Sequence, residues 1–320
     1  MRILLVIVAC QLLSAYAGKL KLAQKINSLN LHWKANEDIS IKTQHTYKSK
    51  ATPRSHLRMY EENKELPISF DSREQWPNCP TIRMVRDQGD CGSCWAFGSA
   101  EAMSDRTCIH SNAKYTPELS ADQINSCCFY CGNGCDGGDA SMAYEYWIET
   151  GVVTGGPYGS DKPQTCRPYQ IPQCAHHVNS TSLPPCGKGV RPTPRCERKC
   201  VSTFTGGSFG NAKFYGARVY SLQNATQMQY DLMQNGPITV CFTVYADFEL
   251  YKSGVYKHTS GAELGGHCVK IIGWGVDDGI DYWLIANSWN VQWGEKGFVK
   301  FIRGINDCGI ESGNVAGIPR

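Results

Sequence analysis

The most informative stretch of the sequence is Gln88-Gly-Asp-Cys-Gly-Ser-Cys94-Trp95-Ala96-Phe97. Apolar or small side chains recur at helical spacing after it as far as Met103, and this pattern predicts a helix over residues 91–106. A cysteine is an effective nucleophile only as its thiolate, which the partial positive charge of a helix N-terminus stabilises. Cys94, at the start of this helix, is therefore a candidate nucleophile. Taken alone, the stretch is equally compatible with Cys94 as one more disulfide cysteine.

Two segments far downstream favour the catalytic role. Gly265–His267 leads into a β-type run, and Asn287–Trp289 follows another. A local cysteine signature followed by a distant histidine and asparagine is typical of papain and the cathepsins. The chain resembles the papain-fold peptidases and, more closely, cathepsin B, between residues 66 and 319. The stretches that are cathepsin B-like rather than merely papain-like are Phe70–Trp76, Cys166–Tyr169 and Cys308–Ser312.

The resemblance implies a role for each residue of this set. Cys94 attacks the scissile carbonyl, His267 takes and returns the proton, and Asn287 orients the imidazole. Gln88 donates to the oxyanion together with the Cys94 backbone N–H, and Trp289 shields the Asn287–His267 contact from water. The implied activity is that of a cysteine protease that forms a thioester acyl-enzyme. The alternative is a catalytically inactive papain-fold binding protein, against which these intact residues argue.

The chain also resembles cathepsin B in an inserted loop. His267 follows Cys94 by 173 residues, whereas about 130–150 is usual, and the surplus falls in a stretch from about 155 to 210 without periodicity. Within it, residues 174–186 resemble the occluding loop, which implies that His176 and His177 bind a substrate's C-terminal carboxylate. The enzyme would then remove C-terminal dipeptides besides cutting internally. Two adjacent histidines are also compatible with ordinary exposed residues or a weak metal site.

The occluding loop of cathepsin B is held by two ion pairs. The first is retained here as His176 with Asp87, whereas Leu183 and Gln292 stand in place of the second. Because both partners of the second pair are replaced together, no unpaired charge is left. We expect a looser loop and more endopeptidase activity than is usual. We also expect the remaining tether to weaken as the imidazole loses its proton.

The resemblance also assigns residues to the substrate cleft, namely Gly137, Gly138, Ala140, Cys241, Cys268, Trp289 and Gly313. Gly313 stands where cathepsin B has an acidic residue that accepts arginine two positions before the cut. Cys241 and Cys268 stand where alanines are common, and Ala140 replaces a proline. We therefore expect this pocket to prefer apolar side chains.

Seventeen cysteines fit an oxidising compartment, and one of them, Cys10, lies in the expected signal peptide. The family pattern implies the pairs Cys79–Cys108, Cys91–Cys135, Cys127–Cys196, Cys128–Cys131, Cys166–Cys200 and Cys174–Cys186. It leaves Cys94, Cys241, Cys268 and Cys308 unpaired. The residues themselves leave a Cys241–Cys268 bond open, since both lie in predicted strands that are expected to be neighbours. A zinc or iron–sulfur site at Cys127–Cys135 is the alternative, but the matching ligand pairs are absent.

Composition predicts three segments. Residues 1–17 have the charged start, short apolar run and Ala15-Tyr16-Ala17 cleavage site of a signal peptide. Residues 18–65, with ten basic and five acidic side chains, are expected to be an inhibitory pro-segment. Residues 66–320 are expected to be the peptidase domain, with a helix over residues 138–149 and strands over residues 238–244, 268–272, 282–286 and 297–302. The expected fold is α+β, with a helical lobe and a β-barrel-like lobe.

The remaining expectations concern partners and location. The basic surplus lies in the pro-segment rather than on the folded body, which does not fit a nucleic-acid binder, and no later run is long enough to span a membrane. We expect polypeptide substrates and cystatin-type inhibitors, and no cofactor or metal. The secretory pathway would deliver the protein to lysosomes or outside the cell, the gut lumen included. Asn179 and Asn224 lie in glycosylation sequons.

Overall fold

The computed structural model of the protein describes residues 2–40, 47–54, 65–187 and 189–320. Its helices are α1 (Arg2–Ser28), α2 (Ser72–Gln75), α3 (Cys94–His110), α4 (Ala121–Cys127), α5 (Ala140–Glu149) and α6 (Ala225–Asn235). Its strands are β1 (Trp33–Ala35), β2 (Tyr47–Lys48), β3 (Phe70–Asp71), β4 (Gly216–Tyr220), β5 (Ile238–Tyr245), β6 (Tyr251–Tyr256), β7 (Glu263–Asp277), β8 (Ile280–Ala286), β9 (Phe298–Ile302) and β10 (Asn314–Pro319). Short 3-10 turns lie at Pro80–Arg83, Gly134–Asp136, Phe248–Leu250 and Asp307–Gly309.

Helix α3 is the centre of the helical lobe. It is buried from Cys94 to Cys108 and packs into a core with α4 and α5. The predicted helix is present, but it begins three residues later because Cys91 is bonded to Cys135 outside it. Helix α5 likewise begins at Ala140, since the Asp139 side chain caps it by accepting from the Ser141 N–H.

Among the described residues, the strands of the β lobe form one sheet. Their order is β1-β6-β9-β8-β7-β5-β10-β4, and β2 and β3 also pair with β7. Each predicted strand is present, although β7 is much longer than predicted. Its first residues include Gly265 and Gly266, which have low strand propensity, yet they pair with β5 on one edge and β2 on the other. An aromatic core that includes Phe242, Phe248 and Trp289 fills this lobe.

A buried ion cluster joins the two lobes behind the cleft. The Lys270 ammonium on β7 lies 2.8 Å from the Asp105 carboxylate and 3.9 Å from that of Glu101, both on α3. Burial raises the pKa of Glu101 to about 7, against the opposing effect of the Lys270 charge. The cluster fixes α3 against β7, and these two elements carry Cys94 and His267.

The stretch from 155 to 210 contains no helix or strand in the part that the structure describes. Disulfides secure it instead, at Cys166–Cys200, Cys174–Cys186 and Cys127–Cys196. The expected two-lobe, disulfide-rich α+β fold is therefore confirmed. Among the described residues, none of the helices combines the length and the apolar content that crossing a membrane requires.

Candidate active site

Cys94 occupies the first position of α3, at the boundary between the lobes. Ser93, the preceding residue, makes no side-chain cap, and its carbonyl accepts from the Ala96 and Phe97 N–H groups. The N–H groups of Cys94 and Trp95 are left for other partners. The Cys94 sulfur accepts a hydrogen bond from the Cys268 N–H at 3.4 Å. Burial raises the pKa of the Cys94 thiol, while the Ser49 hydroxyl and nearby backbone N–H groups act in the opposite direction. In this state the thiol is covered and neutral.

His267 lies on β7 and faces Asn287, which follows β8. The His267 Nε2 atom is 2.9 Å from the Asn287 side-chain oxygen. That oxygen also accepts from the Ser288 N–H at 2.8 Å, so Nε2 must be the ring nitrogen that carries the proton. Nδ1 is thereby left as the basic nitrogen, and it is buried without a hydrogen-bond partner among the described residues. The ring is thus in the tautomer that can accept a proton at Nδ1.

The pKa of His267 is lowered to about 4, first by burial and further by the charge of His176, against the effect of the Asn287 hydrogen bond. Aromatic rings enclose the imidazole. The centroid of Trp289 lies 4.8 Å from that of His267, and the centroid of Tyr47 lies 6.0 Å away in an edge-on arrangement. Trp289 is fully buried and covers the His267–Asn287 contact on one side.

Gln88 is positioned by two hydrogen bonds. Its side-chain oxygen accepts from the Ser288 hydroxyl at 2.6 Å, and its side-chain nitrogen donates to the Cys91 carbonyl at 2.8 Å. Because the oxygen is held, the amide nitrogen must point to the Cys91 side. Gln88 is 2% exposed, so this donor lies in a low-dielectric environment.

The segment from Tyr47 to Thr52 passes through the cleft as an extended chain. β2 pairs in parallel with β7, with Tyr47 opposite Gly265. Further along, the Lys50 N–H donates to the Gly138 carbonyl at 3.0 Å, and the Lys50 carbonyl accepts from the Ala140 N–H at 2.8 Å. The segment therefore bonds to both lobes and covers Cys94.

Two glycines permit this close approach of the backbone. A Cβ atom on Gly265, whose φ is +119°, would lie 1.9 Å from the Tyr47 carbonyl oxygen. On the other lobe, a Cβ atom on Gly137, whose φ is +104°, would lie 2.5 Å from the Lys48 carbonyl oxygen. Both edges of the cleft thus accept an extended peptide main chain only because they lack side chains.

Comparison with known proteins identifies this arrangement. A family model described as "Papain family cysteine protease" matches residues 66–318. The chain belongs to the papain family of cysteine proteases. It is 51% identical to Cathepsin B-like cysteine proteinase 6 of Caenorhabditis elegans over 257 residues, which are 80% of this chain and 67% of that protein. It is 42% identical to Cathepsin B-like cysteine proteinase 4 of the same organism over 309 residues, which are 93% of this chain and 92% of the relative.

Solved structures agree with this membership. The proCathepsin B S9 structure from Trypanosoma congolense superposes with a TM-score of 0.79 at 35% identity, covering 94% of this chain and 98% of that one. The recombinant stem bromelain precursor has a TM-score of 0.68 at 21% identity, covering 97% and 91%, and shows the shared fold alone. This cathepsin B-like protease is thus similar to precursor forms, as the residues lying across its cleft also indicate.

One side of the cleft of this cathepsin B-like protease is lined by an apolar cluster. Ala51 packs there against a cluster that includes Ala140, Cys241 and Cys268. Cys241 and Cys268 lie directly opposite each other in the β5–β7 register, with Cα atoms 4.0 Å apart, and form a disulfide. The family pattern that leaves both cysteines free is therefore wrong here, because strand register brings them together. Six further disulfides are the pairs that the resemblance implies.

Gly313 lies against the β5 backbone beside Cys241, a member of this cluster. A Cβ atom at this position would be 2.0 Å from the Cys241 carbonyl oxygen, so a side chain requires the backbone to move. The Gly313 carbonyl accepts from the Cys241 N–H at 2.7 Å. Gly313 therefore packs tightly against β5 and provides no carboxylate at this position.

The other side of the cleft is rich in ionisable groups. His176 Nε2 lies 2.8 Å from the Asp87 carboxylate, and both side chains are buried. His177 Nδ1 lies 3.6 Å from the Glu249 carboxylate, and the Tyr47 hydroxyl is 3.3 Å from His177 Nε2. The structure therefore brings both loop histidines to the edge of the cleft beneath the segment that covers it.

Other contacts hold the loop where the second ion pair is missing. The Gln292 side-chain amide donates to the Ser182 hydroxyl at 2.8 Å, at an exposed position. Leu183 packs against the core of the β lobe. The Asn290 amide donates to the Cys174 carbonyl at 2.8 Å. A hydrogen bond and an apolar contact thus stand in place of a charge pair.

Three side chains of this loop lie close enough together to suggest a metal site. Cys174, His176 and Cys186 place one potential ligand atom each within 4.8 Å of one another. The two sulfurs, however, are bonded to each other. A disulfide sulfur carries no thiolate charge, so this group does not fit a metal ion.

Three residues that the structure brings to the site are not among those predicted from the sequence. Tyr47 and Ser49 belong to a segment without periodicity, and their contacts depend on the path of the chain. Glu249 does carry a signal, because it is an acidic residue within the apolar run Phe248–Leu250. A charge in such a run is costly unless it has a partner, and here the partners come from distant parts of the chain.

The two sequon asparagines are both exposed. The Asn224 side-chain oxygen caps α6 by accepting from the Gln227 N–H, which leaves its amide nitrogen on the surface. The Asn179 amide nitrogen donates to the Asp38 carboxylate at 2.5 Å. A glycan on Asn224 would therefore leave the cap intact, whereas one on Asn179 would alter this contact.

Proposed function

We propose that this cathepsin B-like protease is a peptidyl-dipeptidase and endopeptidase that works through a thioester on Cys94. The observation that supports it most directly is the His267 tautomer, which leaves Nδ1 as the proton acceptor. In the reaction, His267 Nδ1 takes the thiol proton, and the sulfur attacks the scissile carbonyl carbon. The tetrahedral oxyanion then accepts hydrogen bonds from the Gln88 amide and the Cys94 N–H.

Collapse of this intermediate breaks the C–N bond, and His267 gives its proton to the leaving amine. A water molecule, deprotonated by the same imidazole, then attacks the thioester and releases the acid and the thiol. Asn287 holds the ring through both steps. Removal of the Cys94 or the His267 side chain should lower kcat strongly. We expect Cys94→Ala to lower kcat by at least about 10³-fold.

The oxyanion role of Gln88 gives a milder and separate effect. We expect Gln88→Ala to lower kcat by about 10²–10³-fold with little change in KM, since the donor acts only in the transition state. Gln123→Ala serves as a control for buried glutamines, since Gln123 bonds within the helical lobe at Val153 and Gly151 instead of at the cleft. An equal loss of activity in both variants would refute the oxyanion role.

The dipeptidase activity is supported by His176 and His177, which lie where the cleft meets residues 174–186. We propose that they bind the C-terminal carboxylate of a substrate, with Asp87 as the tether of the loop. Peptides that differ only in a free or an amidated C-terminus test this. We expect both to be cleaved by the processed enzyme, the free acid faster, and His177→Ala to reduce that difference. Equal rates on both peptides would exclude the dipeptidase, and no cleavage of the amidated peptide across pH 5–7 would exclude the endopeptidase.

We further propose that residues 1–17 are a signal peptide, 18–65 the inhibitory pro-segment and 66–320 the peptidase domain. Residues 41–46 and 55–64 of that pro-segment lie outside the described residues. The residues that the structure describes contain seven disulfides. These bonds support our proposal that the protein matures in the secretory pathway and acts in lysosomes or outside the cell. Cystatin-type inhibitors are the protein partners we propose, and Asn179 and Asn224 the glycosylation sites.

A further inference from the structure

Glu249 is a buried acidic residue at the edge of the cleft. It lies in the 3-10 turn Phe248–Leu250, and its side chain is 5% exposed. One carboxylate oxygen accepts from the Lys19 ammonium at 2.6 Å, and the other from the Tyr47 hydroxyl at 2.8 Å. His177 approaches the same carboxylate to 3.6 Å. A desolvated charge is thus fully supplied with partners.

Two of these partners belong to the proposed pro-segment. Lys19 lies on α1, and Tyr47 forms part of β2. When the pro-segment leaves, Glu249 loses its ammonium and hydroxyl donors and keeps His177. A carboxylate with few donors in a low-dielectric site attracts another cation strongly. The substrate is the molecule that replaces the pro-segment in the cleft.

The position of Glu249 relative to the nucleophile decides which part of a substrate it meets. Tyr47 connects Glu249 with the His267 side of the active site. The Tyr47 ring centroid lies 6.0 Å from that of His267, and the Tyr47 hydroxyl donates to Glu249. Ala51, on the opposite side of Cys94, lies in the pocket assigned to the substrate residue two before the cut. The Tyr47 side therefore receives the residues that follow the cut.

We propose that Glu249 makes this enzyme select a lysine or arginine side chain directly after the scissile bond. The inference rests on the proposed protease function and deepens it. The Lys19 ammonium stands in for the substrate's basic group in the precursor. The selection works by charge, since the carboxylate accepts from the ammonium or guanidinium in an environment from which most water is excluded.

Matched peptides test this on the processed enzyme. Two internally quenched peptides carry either lysine or Nε-acetyl-lysine directly after the cut, so that they differ in charge but share the aliphatic stem. We expect kcat/KM to be higher for the lysine peptide by about tenfold, the factor that one pKa unit of interaction energy represents. The ratio should approach one in Glu249→Gln and stay unchanged in Glu263→Gln, which removes an exposed carboxylate from the same lobe.

The possible results separate the inference from the proposed function. A wild-type ratio near one, or a ratio that Glu249→Gln does not change, would overturn the inference alone. Failure of the processed wild type to cleave either peptide would overturn the proposed function as well. Should Glu249→Gln not fold, the ratio is measured in Glu249→Leu, which fills the same buried site without a charge. A ratio near one in that variant supports charge selection, and an unchanged ratio opposes it.

Discussion

The two sides of the cleft are built from different chemistry. On the side that holds Ala51, the pocket is apolar and bounded by a disulfide between adjacent strands. On the side that holds Tyr47, the boundary consists of two histidines and the carboxylates of Asp87 and Glu249. We expect the apolar side to select substrates by shape and the ionisable side to respond to charge and pH. Cys94, the proposed nucleophile, lies between the two.

The largest expected effect concerns the point where the two sides meet. In the precursor, burial raises the pKa of Cys94 and lowers that of His267 to about 4. Both shifts keep the thiol and the imidazole neutral. Because the thiol is below its pKa between pH 5 and 8, its small thiolate population should grow steadily with pH. Removal of the pro-segment relieves the burial and allows the ion pair to form. We expect iodoacetamide to alkylate processed Cys94 at least about 100-fold faster than precursor Cys94 at pH 5.5, the ratio that two pKa units give.

Peptide mapping by mass spectrometry measures this rate at Cys94 itself. Cys308, the other free cysteine of the described residues, is an internal reference, since burial raises the pKa of its thiol. Equal alkylation rates of Cys94 in the precursor and processed forms would show that burial beneath the pro-segment does not control the reactivity of the thiol. The difference between the two sides of the cleft would then have no bearing on catalysis.

A smaller effect is expected on the substrate preference of the apolar side. With leucine or arginine two positions before the cut, we expect leucine to be preferred by about tenfold, because a desolvated guanidinium finds no carboxylate at Gly313. The same ratio measured in Glu249→Gln should be unchanged, since that residue lies on the other side. A preference for arginine in a peptide library would contradict the assignment of this pocket.

The smallest effect concerns the loop that closes the ionisable side. The double variant Leu183→Arg with Gln292→Asp restores a charge pair where Gln292 now bonds to Ser182. An exposed pair contributes about 0.2–1 kcal/mol, so we expect cleavage of an amidated peptide to fall by about 1.4- to fivefold relative to its free acid. The two single variants are the controls, and an effect of either one as large as that of the double would indicate a cause other than pairing.

Sequence patterns were sufficient for the local elements. The helix at Cys94 and the helix that begins at Ala140 follow from helical periodicity, because side chains three to four apart report which face is buried. The four predicted strands follow from short β-type runs between Gly and Asn turns. Motif resemblance named Cys94, His267 and Asn287, which the structure brings together from α3, β7 and the residue after β8. The long stretch without periodicity is likewise irregular where the structure describes it.

The amino-acid sequence alone defines the chemistry available to this protein: a candidate nucleophile, a candidate base, an orienting amide and a large set of cysteines. How distant residues meet depends on tertiary packing. The Cys241–Cys268 bond depends on strand register, and the partners of Glu249 come from positions 230 and 202 residues away along the chain. The physical reason is that propensity acts over a few residues, whereas register, burial and charge pairing are set by packing of the whole chain.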